Sequence, residues 1–446
     1  MLRPTPLPWR KPRREVLLLA LVAVAALTPV FVVSTQDASH YCLSRAIVAG
    51  TFKVEPCAGA GPDVAGYGGY VYSNKAPGMS LLSIPAVEAV RLPTGSRWHF
   101  ESDLRLWAVR VLTSGLAFLV CAFLVGRVAE GLQPGTGGPV LVTFALGTFM
   151  TPFAAAGFDH DPTALFGFGA FLLAWSRRPF LAGLAAGIAY LCEYQAAAII
   201  GLVGIYVVLR GLRPLGRYVL GVLPGVAISG AYSWIAFGRP WRIPQNYDLY
   251  SFADVKAGGL LGVHAPTLRS IRLVFVGDRG LLVATPVLVA AAAGLWLLWR
   301  QGRRAEALLC ATVTLAFLVG ETGYGDPYGG TSAGLRYLIP SLPFLALGLA
   351  PVYARRRLVT ALLAAISITA IAFLTATWAK SATYPHTIWY QIAVLARHGR
   401  GSELYSLLSR NVLDRLGPSP AEAELIVLLV TVAAFVVAML PARHRR

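Results

Sequence analysis

The chain has 446 residues, of which 56% are hydrophobic and only 13% are charged. A soluble domain carries about 25% charged residues, so this composition excludes an ordinary soluble protein and predicts that lipid is the solvent. The net charge of +18 would favour nucleic acid if it lay on one soluble face. The basic residues instead form short clusters between apolar runs, which is typical of a membrane protein, and no nucleic-acid partner is expected.

Apolar runs follow one another along the whole chain. A spanning helix needs about 20 apolar residues, and the runs predict about twelve spans in an all-α, polytopic domain covering 1–446. The first run follows a basic start without a clear cleavage site, which indicates a retained signal anchor. The spans are predicted near 16–34, 106–126, 139–157, 163–176, 179–192, 195–209, 218–237, 280–299, 306–320, 334–352, 358–378 and 422–440.

Arginine clusters occur in alternate connections between these spans. They lie near 3–14, 127, 177–178, 210–217, 300–304, 355–357 and 443–446. With an even number of spans, all of them fall on one side, and the positive-inside rule makes that side cytoplasmic. The sequence therefore predicts a multi-pass protein of a bacterial plasma (inner) membrane with both termini in the cytoplasm.

Three long external loops are predicted at 35–105, 238–279 and 379–421. In the first, Thr35 is expected to cap a helix that ends at Gly50, with Asp37 in its first turn. Residues 79–92 mix apolar and polar positions as in an amphipathic helix lying in the membrane interface. The glycine-rich and tyrosine-rich stretch 59–72 is expected to be irregular.

Five cysteines are too few for a disulfide scaffold. Cys121, Cys192 and Cys310 lie in apolar runs and are interpreted as small core residues. Cys42 and Cys57 share the first external loop, where an oxidising exterior permits a disulfide. Pairing and free thiols both remain open for these two.

Two residues of the first external loop are candidates for chemistry. Asp37 lies at the outer end of the first span, where a carboxylate is either a general base or a helix-start residue that faces water. Lys75 lies in Asn-Lys-Ala-Pro-Gly, a turn that aims its side chain. It is either a point-charge partner for a phosphate or an interfacial lysine that reaches lipid head groups.

Further polar residues lie at the predicted outer face. Asp159, His160 and Asp161 fill a turn between spans, where they are either substrate or metal ligands or an ordinary helix start before Pro162. Glu193 lies between two apolar runs and needs either a role in substrate positioning or an arginine partner.

Arg336 follows a glycine-rich turn at the outer end of a predicted span. With Lys75 it can form a two-point clamp on a phosphate, and structural anchoring is the alternative. The sequence has no phosphate-binding loop, dinucleotide fingerprint or zinc-protease motif. A transferred group is therefore expected to arrive on a lipid carrier.

These motifs resemble those of the polytopic GT-C glycosyltransferases. The similar group contains the protein O-mannosyltransferases and the lipid A aminoarabinose transferase (family 39-like). The resemblance rests on Asp37 with Tyr41 and the helix end at Ala46–Gly50, and on the turn Lys75-Ala76-Pro77-Gly78. Two further stretches contribute, Asp159–Pro162 and Gly334–Pro340.

The resemblance implies a donor sugar, a hexose or a pentose, on a polyprenyl phosphate. It implies that Asp37 is the catalytic base, that Lys75 contacts the lipid phosphate and that transfer inverts the anomeric centre. The acceptor is a hydroxyl of a glycan, lipid or protein. In the mannosyltransferases two acidic residues are adjacent, whereas here Ala38 follows Asp37, so that His40 is the alternative positioning group.

Two other classes remain open. A transporter is compatible with about twelve spans, although transporter sites usually lie at the membrane midplane. A ligase or polymerase of lipid-linked glycans would share the topology. A cavity at the outer face would favour the transferase, and one reaching both faces would favour transport. No cofactor is predicted with certainty, and a divalent metal remains open.

Overall fold

The computed structural model of the chain describes residues 13–55, 57, 63–90, 104–249, 262–378, 383–384 and 386–441. The basic residues predicted at 3–11 and 443–446 lie outside these residues. So do 91–103, 250–261 and 379–382 of the predicted external loops.

Helices make up most of the described chain, and short strands lie only at one end of the bundle. The helices are α1 Arg13–Leu27, α2 Thr35–Val48, α3 Gly78–Ala89, α4 Leu104–Arg110, α5 Leu116–Leu132, α6 Gly137–Leu146, α7 Met150–Ala154, α8 His160–Trp175, α9 Pro179–Cys192, α10 Ala197–Val208, α11 Leu212–Phe237, α12 Leu268–Val276, α13 Leu281–Ala284, α14 Val287–Arg300, α15 Arg304–Gly323, α16 Leu342–Ala346, α17 Leu349–Arg355, α18 Arg357–Thr377, α19 Ile388–His398 and α20 Pro420–Met439. The strands are β1 Pro29–Val30, β2 Val64–Tyr67, β3 Tyr70–Ser73 and β4 Arg410–Asn411.

Each predicted apolar run contains one helix or several successive helices, which confirms the all-α polytopic class. The first run, 16–34, extends beyond its helix, which ends at Leu27. By length and composition, five helices among the described residues can cross a membrane, and two bent pairs raise the number to seven. One of the five is continuous from α4 into α5 through a π-helical turn at Val111–Gly115. The other helices are shorter, so the count of twelve spans stays a prediction.

Helices α9 and α11 are in backbone contact through glycines spaced four residues apart. A Cβ atom at Gly183 would collide with the Tyr218 carbonyl, and one at Gly225 would collide with the Gly187 carbonyl. Small residues at this spacing allow two helices to approach closely in lipid, where dispersion contacts drive association. This contact joins α11 to α9.

The predicted cytoplasmic arginines meet at one end of the bundle. The Arg14 guanidinium donates to the Val437 carbonyl at 2.7 Å and to the Leu440 carbonyl at 2.6 Å. Arg127, near the end of α5, pairs with Glu15 of α1 at 2.9 Å. The beginning of α1 and the ends of α5 and α20 therefore share one end, here called the basic end.

The N-cap of helix α2 lies one residue before the predicted cap, so the helix begins at Thr35. Ser34, not Thr35, is the N-cap: its hydroxyl accepts from the Asp37 amide at 3.1 Å, and Asp37 Oδ2 accepts from the Ser34 amide at 3.0 Å. The cap prediction was therefore wrong, because this reciprocal capping box needs the carboxylate at the third helical position. Gly50, with φ of +74°, ends the helix as predicted.

Part of the stretch expected to be irregular is a β-hairpin. Strands β2 and β3 pair antiparallel across Gly68 and Gly69, whose φ values are +61° and +79°. Two consecutive positive φ angles are typical of the two-residue turn whose twist matches that of the strands. The prediction was wrong there because it treated the two glycines as a sign of irregular chain.

The serines of helix α3 pack inward against α2. Ser44 of α2 donates to the Ser80 carbonyl at 2.9 Å and lies 2.7 Å from the Ser83 hydroxyl. Leu82, in contrast, is 40% exposed. The serines satisfy one another between two helices, while Val87 is also buried and Glu88 is exposed. The predicted position of α3 in the membrane interface stays a prediction.

A disulfide between Cys42 and Cys57 joins α2 to the loop before the hairpin. The two Cα atoms are 5.6 Å apart, which is an ordinary separation for a bridge. Cys121, Cys192 and Cys310 are buried free cysteines, as predicted.

Candidate functional site

A cavity of about 300 Å³ lies at the end of the bundle opposite the basic end. Its wall includes the loop from β1 into α2, the turn 329–332, Arg336, and Trp378 directly after α18. The chain lines the cavity just after the ends of α1 and α18. At the beginnings of the same two helices, the guanidinium groups of Arg14 and Arg357 both donate to carbonyls at the end of α20, which belongs to the basic end. The cavity is therefore on the side predicted to be external.

Arg336 supplies a cation to the cavity wall. Its Nη1 donates to Gln36 Oε1 at 3.2 Å and its Nη2 donates to the Tyr337 hydroxyl at 2.9 Å, while Nε is buried without a hydrogen-bond partner among the described residues. No described carboxylate pairs with this guanidinium within 4.0 Å. Gly329, with φ of +64°, lies directly against it, and a Cβ there would collide with Nε. Arg336 is thus a half-buried cation beside an open space, with no ion-pair contact within 4.0 Å among the described residues.

Lys75 is the second cation, and it already has a partner. Its Nζ lies 2.7 Å from Asp63 Oδ2, with both side chains largely buried. Burial alone would raise the pKa of Asp63, but the Lys75 ammonium and the Thr35 hydroxyl lower it to about 2. Burial opposes the charge on Lys75, yet Asp63 raises the pKa of Lys75 above its ordinary value. Both groups are charged at neutral pH, and Asp63 lines the cavity.

Asp37 lies behind the cavity wall and is 1% exposed. Its Oδ2 accepts from Arg110 Nη2 at 2.9 Å and from Ser34. Its Oδ1 has no hydrogen-bond partner among the described residues and faces Gly157 beside the buried Tyr41 hydroxyl. Burial raises the pKa of Asp37 although the Arg110 guanidinium opposes that rise.

A second polar cluster is joined to the cavity by Gln36. The Gln36 amide donates to Asp159 Oδ1 at 2.8 Å, while its carbonyl accepts from Arg336. His40 Nε2 lies 3.5 Å from Asp159 Oδ2, and His160 Nδ1 lies 3.0 Å from Glu193 Oε1. His40 therefore contacts Asp159 rather than Asp37, and Glu193 pairs with a histidine rather than an arginine.

Asp161 is separate from this cluster. It is fully buried in the first turn of α8, and neither carboxylate oxygen has a hydrogen-bond partner among the described residues. All the other predicted residues lie at the cavity end of the bundle. The structure brings together Lys75, Arg336, His40, Asp159, His160 and Glu193, with Asp37 and Tyr41 behind them.

Asp159, His160 and Glu193 have the donor atoms of a cation site. One ligand atom from each lies within 4.8 Å of the others. His160 Nε2 and Glu193 Oε2 have no hydrogen-bond partner among the described residues. An imidazole with two carboxylates suits a divalent transition metal, so the three residues fit such an ion.

Three residues of the site were missed from sequence. Arg110 lies in an apolar segment, and an ionisable residue there is by itself a signal of function or pairing. Asp63 is the only acidic residue of the glycine-rich stretch 58–70, which is a weak signal. Gln36 had no signal beyond its place next to Asp37.

Comparison with solved structures shows the architecture. ArnT from Cupriavidus metallidurans bound to undecaprenyl phosphate superposes with a TM-score of 0.56 at 15% identity, covering 96% of this chain and 76% of ArnT. The apo form of that protein matches with a TM-score of 0.50 at 15% identity, covering 95% of this chain and 76% of that one. The chain has the GT-C fold.

An oligosaccharyltransferase of Archaeoglobus fulgidus in the apo form shares the GT-C fold with a TM-score of 0.50 and 15% identity. That match covers 88% of this chain but 59% of the archaeal one. No protein-family model matches this chain. No curated protein matches it either. The expected architecture is thus confirmed at the level of the fold.

Proposed function

We propose that this protein is a membrane glycosyltransferase that moves a sugar from a polyprenyl phosphate to an acceptor hydroxyl, with inversion. The observation that carries the proposal is the cavity beside Arg336, a half-buried cation whose Nε has no hydrogen-bond partner and which makes no ion-pair contact within 4.0 Å among the described residues. Removing such a cation from water is costly unless an anion binds beside it. A protein of the same fold, ArnT, is seen with undecaprenyl phosphate, which is an anion of the required kind.

In this proposal the donor phosphate binds between Arg336 and Lys75. The bond between the anomeric carbon and the phosphate oxygen breaks while the acceptor oxygen bonds to the opposite face of that carbon. Negative charge accumulates on the departing phosphate, where the two cations stabilise it. A divalent ion at Asp159, His160 and Glu193 would add positive charge at the same end of the bundle.

Asp37 is the proposed general base, which takes the proton of the acceptor hydroxyl. Its Oδ2 is held by Arg110 and Ser34, and its Oδ1 is without a partner among the described residues. A carboxylate whose pKa burial raises is a better proton acceptor near neutral pH.

The cavity favours the transferase over a transporter. Its walls come from residues at one end of the bundle, whereas transporters place their sites near the midplane. In the proposed orientation the basic end is cytoplasmic, and the cavity opens on the external face of a bacterial plasma membrane. The lipid tail would lie along the apolar helices, and the glycan, lipid or protein acceptor would enter from outside.

The test is transfer by the purified protein from a panel of radiolabelled polyprenyl-phosphate sugars. We expect at least one donor to be turned over, with a rate about 10²-fold to 10⁴-fold lower in Asp37→Asn if Asp37 is the base. Arg336→Gln is expected to reduce transfer as well, and Arg397→Gln, on the exposed side of α19, is the control.

Wild-type transfer by Asp37→Asn would exclude Asp37 as the base. Absence of turnover with every donor, together with no binding of undecaprenyl phosphate, would contradict the proposed function.

A further inference from the structure

We propose that Asp63 competes with the lipid phosphate for Lys75: the donor phosphate displaces Asp63 on binding, and Asp63 returns to displace the product phosphate after transfer. The proposal rests on the proposed function and assigns a residue to its product-release step. No covalent bond is made or broken in this exchange.

The first support is that Lys75 is not a vacant phosphate site. Its ammonium is 2.7 Å from Asp63 Oδ2, and the lysine and aspartate side chains are 12% and 14% exposed. At this distance no phosphate oxygen can bind the ammonium along the same direction. A phosphate that binds the ammonium in this direction therefore has to displace the carboxylate that is already in place.

The second support is where Asp63 is anchored. Its backbone amide donates to the Thr35 carbonyl at 3.0 Å, and its carbonyl accepts from the Ser39 hydroxyl at 2.6 Å. The backbone is thus fixed to α2, while the carboxylate is on the cavity wall. The side chain can rotate away from Lys75 into the cavity and back without any movement of the chain.

The third support is the charge of the ligand before and after transfer. A sugar-linked polyprenyl phosphate is a phosphodiester with one negative charge. The product is a monoester, whose charge is about −1.5 to −2 near neutral pH. Two cations, Lys75 and Arg336, hold the product more strongly than the donor. An internal carboxylate that reclaims one of them weakens this product inhibition.

Binding of undecaprenyl phosphate to the purified protein in detergent gives the first test. Asp63→Asn is nearly isosteric and leaves Lys75 without its competitor, so we expect the product lipid to bind at least about tenfold tighter. The gain should be absent when Asp63→Asn is combined with Lys75→Met. Glu55→Gln is the control, because Glu55 belongs to the same loop but accepts from the Val71 amide at 2.7 Å.

Kinetics give the second test. In Asp63→Asn multiple turnover should slow more than single turnover, with an initial burst and stronger product inhibition. If Asp63→Asn does not fold, Asp63→Ser also removes the charge. Unchanged or weaker product binding would overturn the proposal, and so would a single-turnover rate that falls with the multiple-turnover rate. If wild type neither binds undecaprenyl phosphate nor transfers sugar, the proposed function itself fails and the inference falls with it.

Discussion

At the scale of single residues, the ion pair between Asp37 and Arg110 joins helix α2 to the end of helix α4. Both side chains are at most 2% exposed, and they meet at 2.9 Å. Removing one member of a buried pair leaves the other charge uncompensated, which is more costly than never having buried the pair. Asp37 is thus structural whether or not it is also the base.

Asp37→Asn is therefore expected to lower stability as well as activity, by about 3–5 kcal/mol for a buried pair. Arg110 would remain buried without its carboxylate. Unfolding in detergent measures the loss, and the double variant with Arg110→Gln should lose less than the two single variants together. Equal melting temperatures for wild type and Asp37→Asn would contradict the buried pair.

Asp63 predicts how stability changes with pH. Its folded pKa is lowered from 3.8 to about 2, so its stabilisation is complete above about pH 4 and is lost as pH falls towards 2. The charged groups that act on it are Lys75 and Arg336, and both stay protonated in this range. The expected loss is about 2 kcal/mol, measured by unfolding in detergent at pH 5 and pH 2. The free energy of unfolding of Asp63→Asn should not show this loss between pH 5 and pH 2. If wild type and Asp63→Asn showed the same pH dependence, the prediction would be refuted.

Residue types and local turns were sufficient to predict most of the acidic and basic groups that meet at the cavity. They were not sufficient to predict the pairings. Lys75 meets Asp63, and Arg336 meets Gln36, which is 300 positions away in the chain. Partners this distant are set by how helices pack, and a single sequence carries no direct record of that packing.

At the scale of elements, hydrophobic periodicity was a good guide inside the bundle and a poor one outside it. Helix α9 has the predicted bounds, 179 to 192. Outside the bundle, the serines of α3 face another helix rather than water. Polarity predicts exposure to water only where no neighbouring polar group can satisfy it.

The glycine contact between α9 and α11 gives a prediction at this scale. Gly225→Val would force its side chain into the Gly187 carbonyl, so we expect the two helices to separate and stability to fall by about 1–3 kcal/mol or more. Gly201→Val in α10 is the matched control, since nothing lies within 4 Å of a Cβ there. Thermal unfolding in detergent compares the two, and similar losses would refute the contact.

At the scale of the whole molecule, the proposed orientation places the hairpin outside and the turn after α14 inside. Tyr70, at the start of β3, is 47% exposed, and Gln301 directly follows α14. The native cysteines are either buried or paired, so an introduced thiol can be followed on its own.

A membrane-impermeant thiol reagent applied to intact cells should label Tyr70→Cys and leave Gln301→Cys unlabelled until the membrane is permeabilised. The positive-inside rule is the physical reason for that orientation. The reverse labelling pattern would show that the protein has the opposite orientation in the membrane. Labelling of both introduced cysteines before permeabilisation would show that the two positions lie on the same side.

Gln36 has a consequence for how the two sides of the cavity influence each other. The side-chain amide of Gln36 donates to Asp159 and accepts from Arg336. Unlike a carboxylate, an amide does not ionise near neutral pH. It therefore links the acidic cluster to Arg336 by hydrogen bonds without placing a charge of its own at the cavity wall. Gln36→Glu would add a carboxylate beside Arg336, and that carboxylate would compete with any phosphate for the guanidinium.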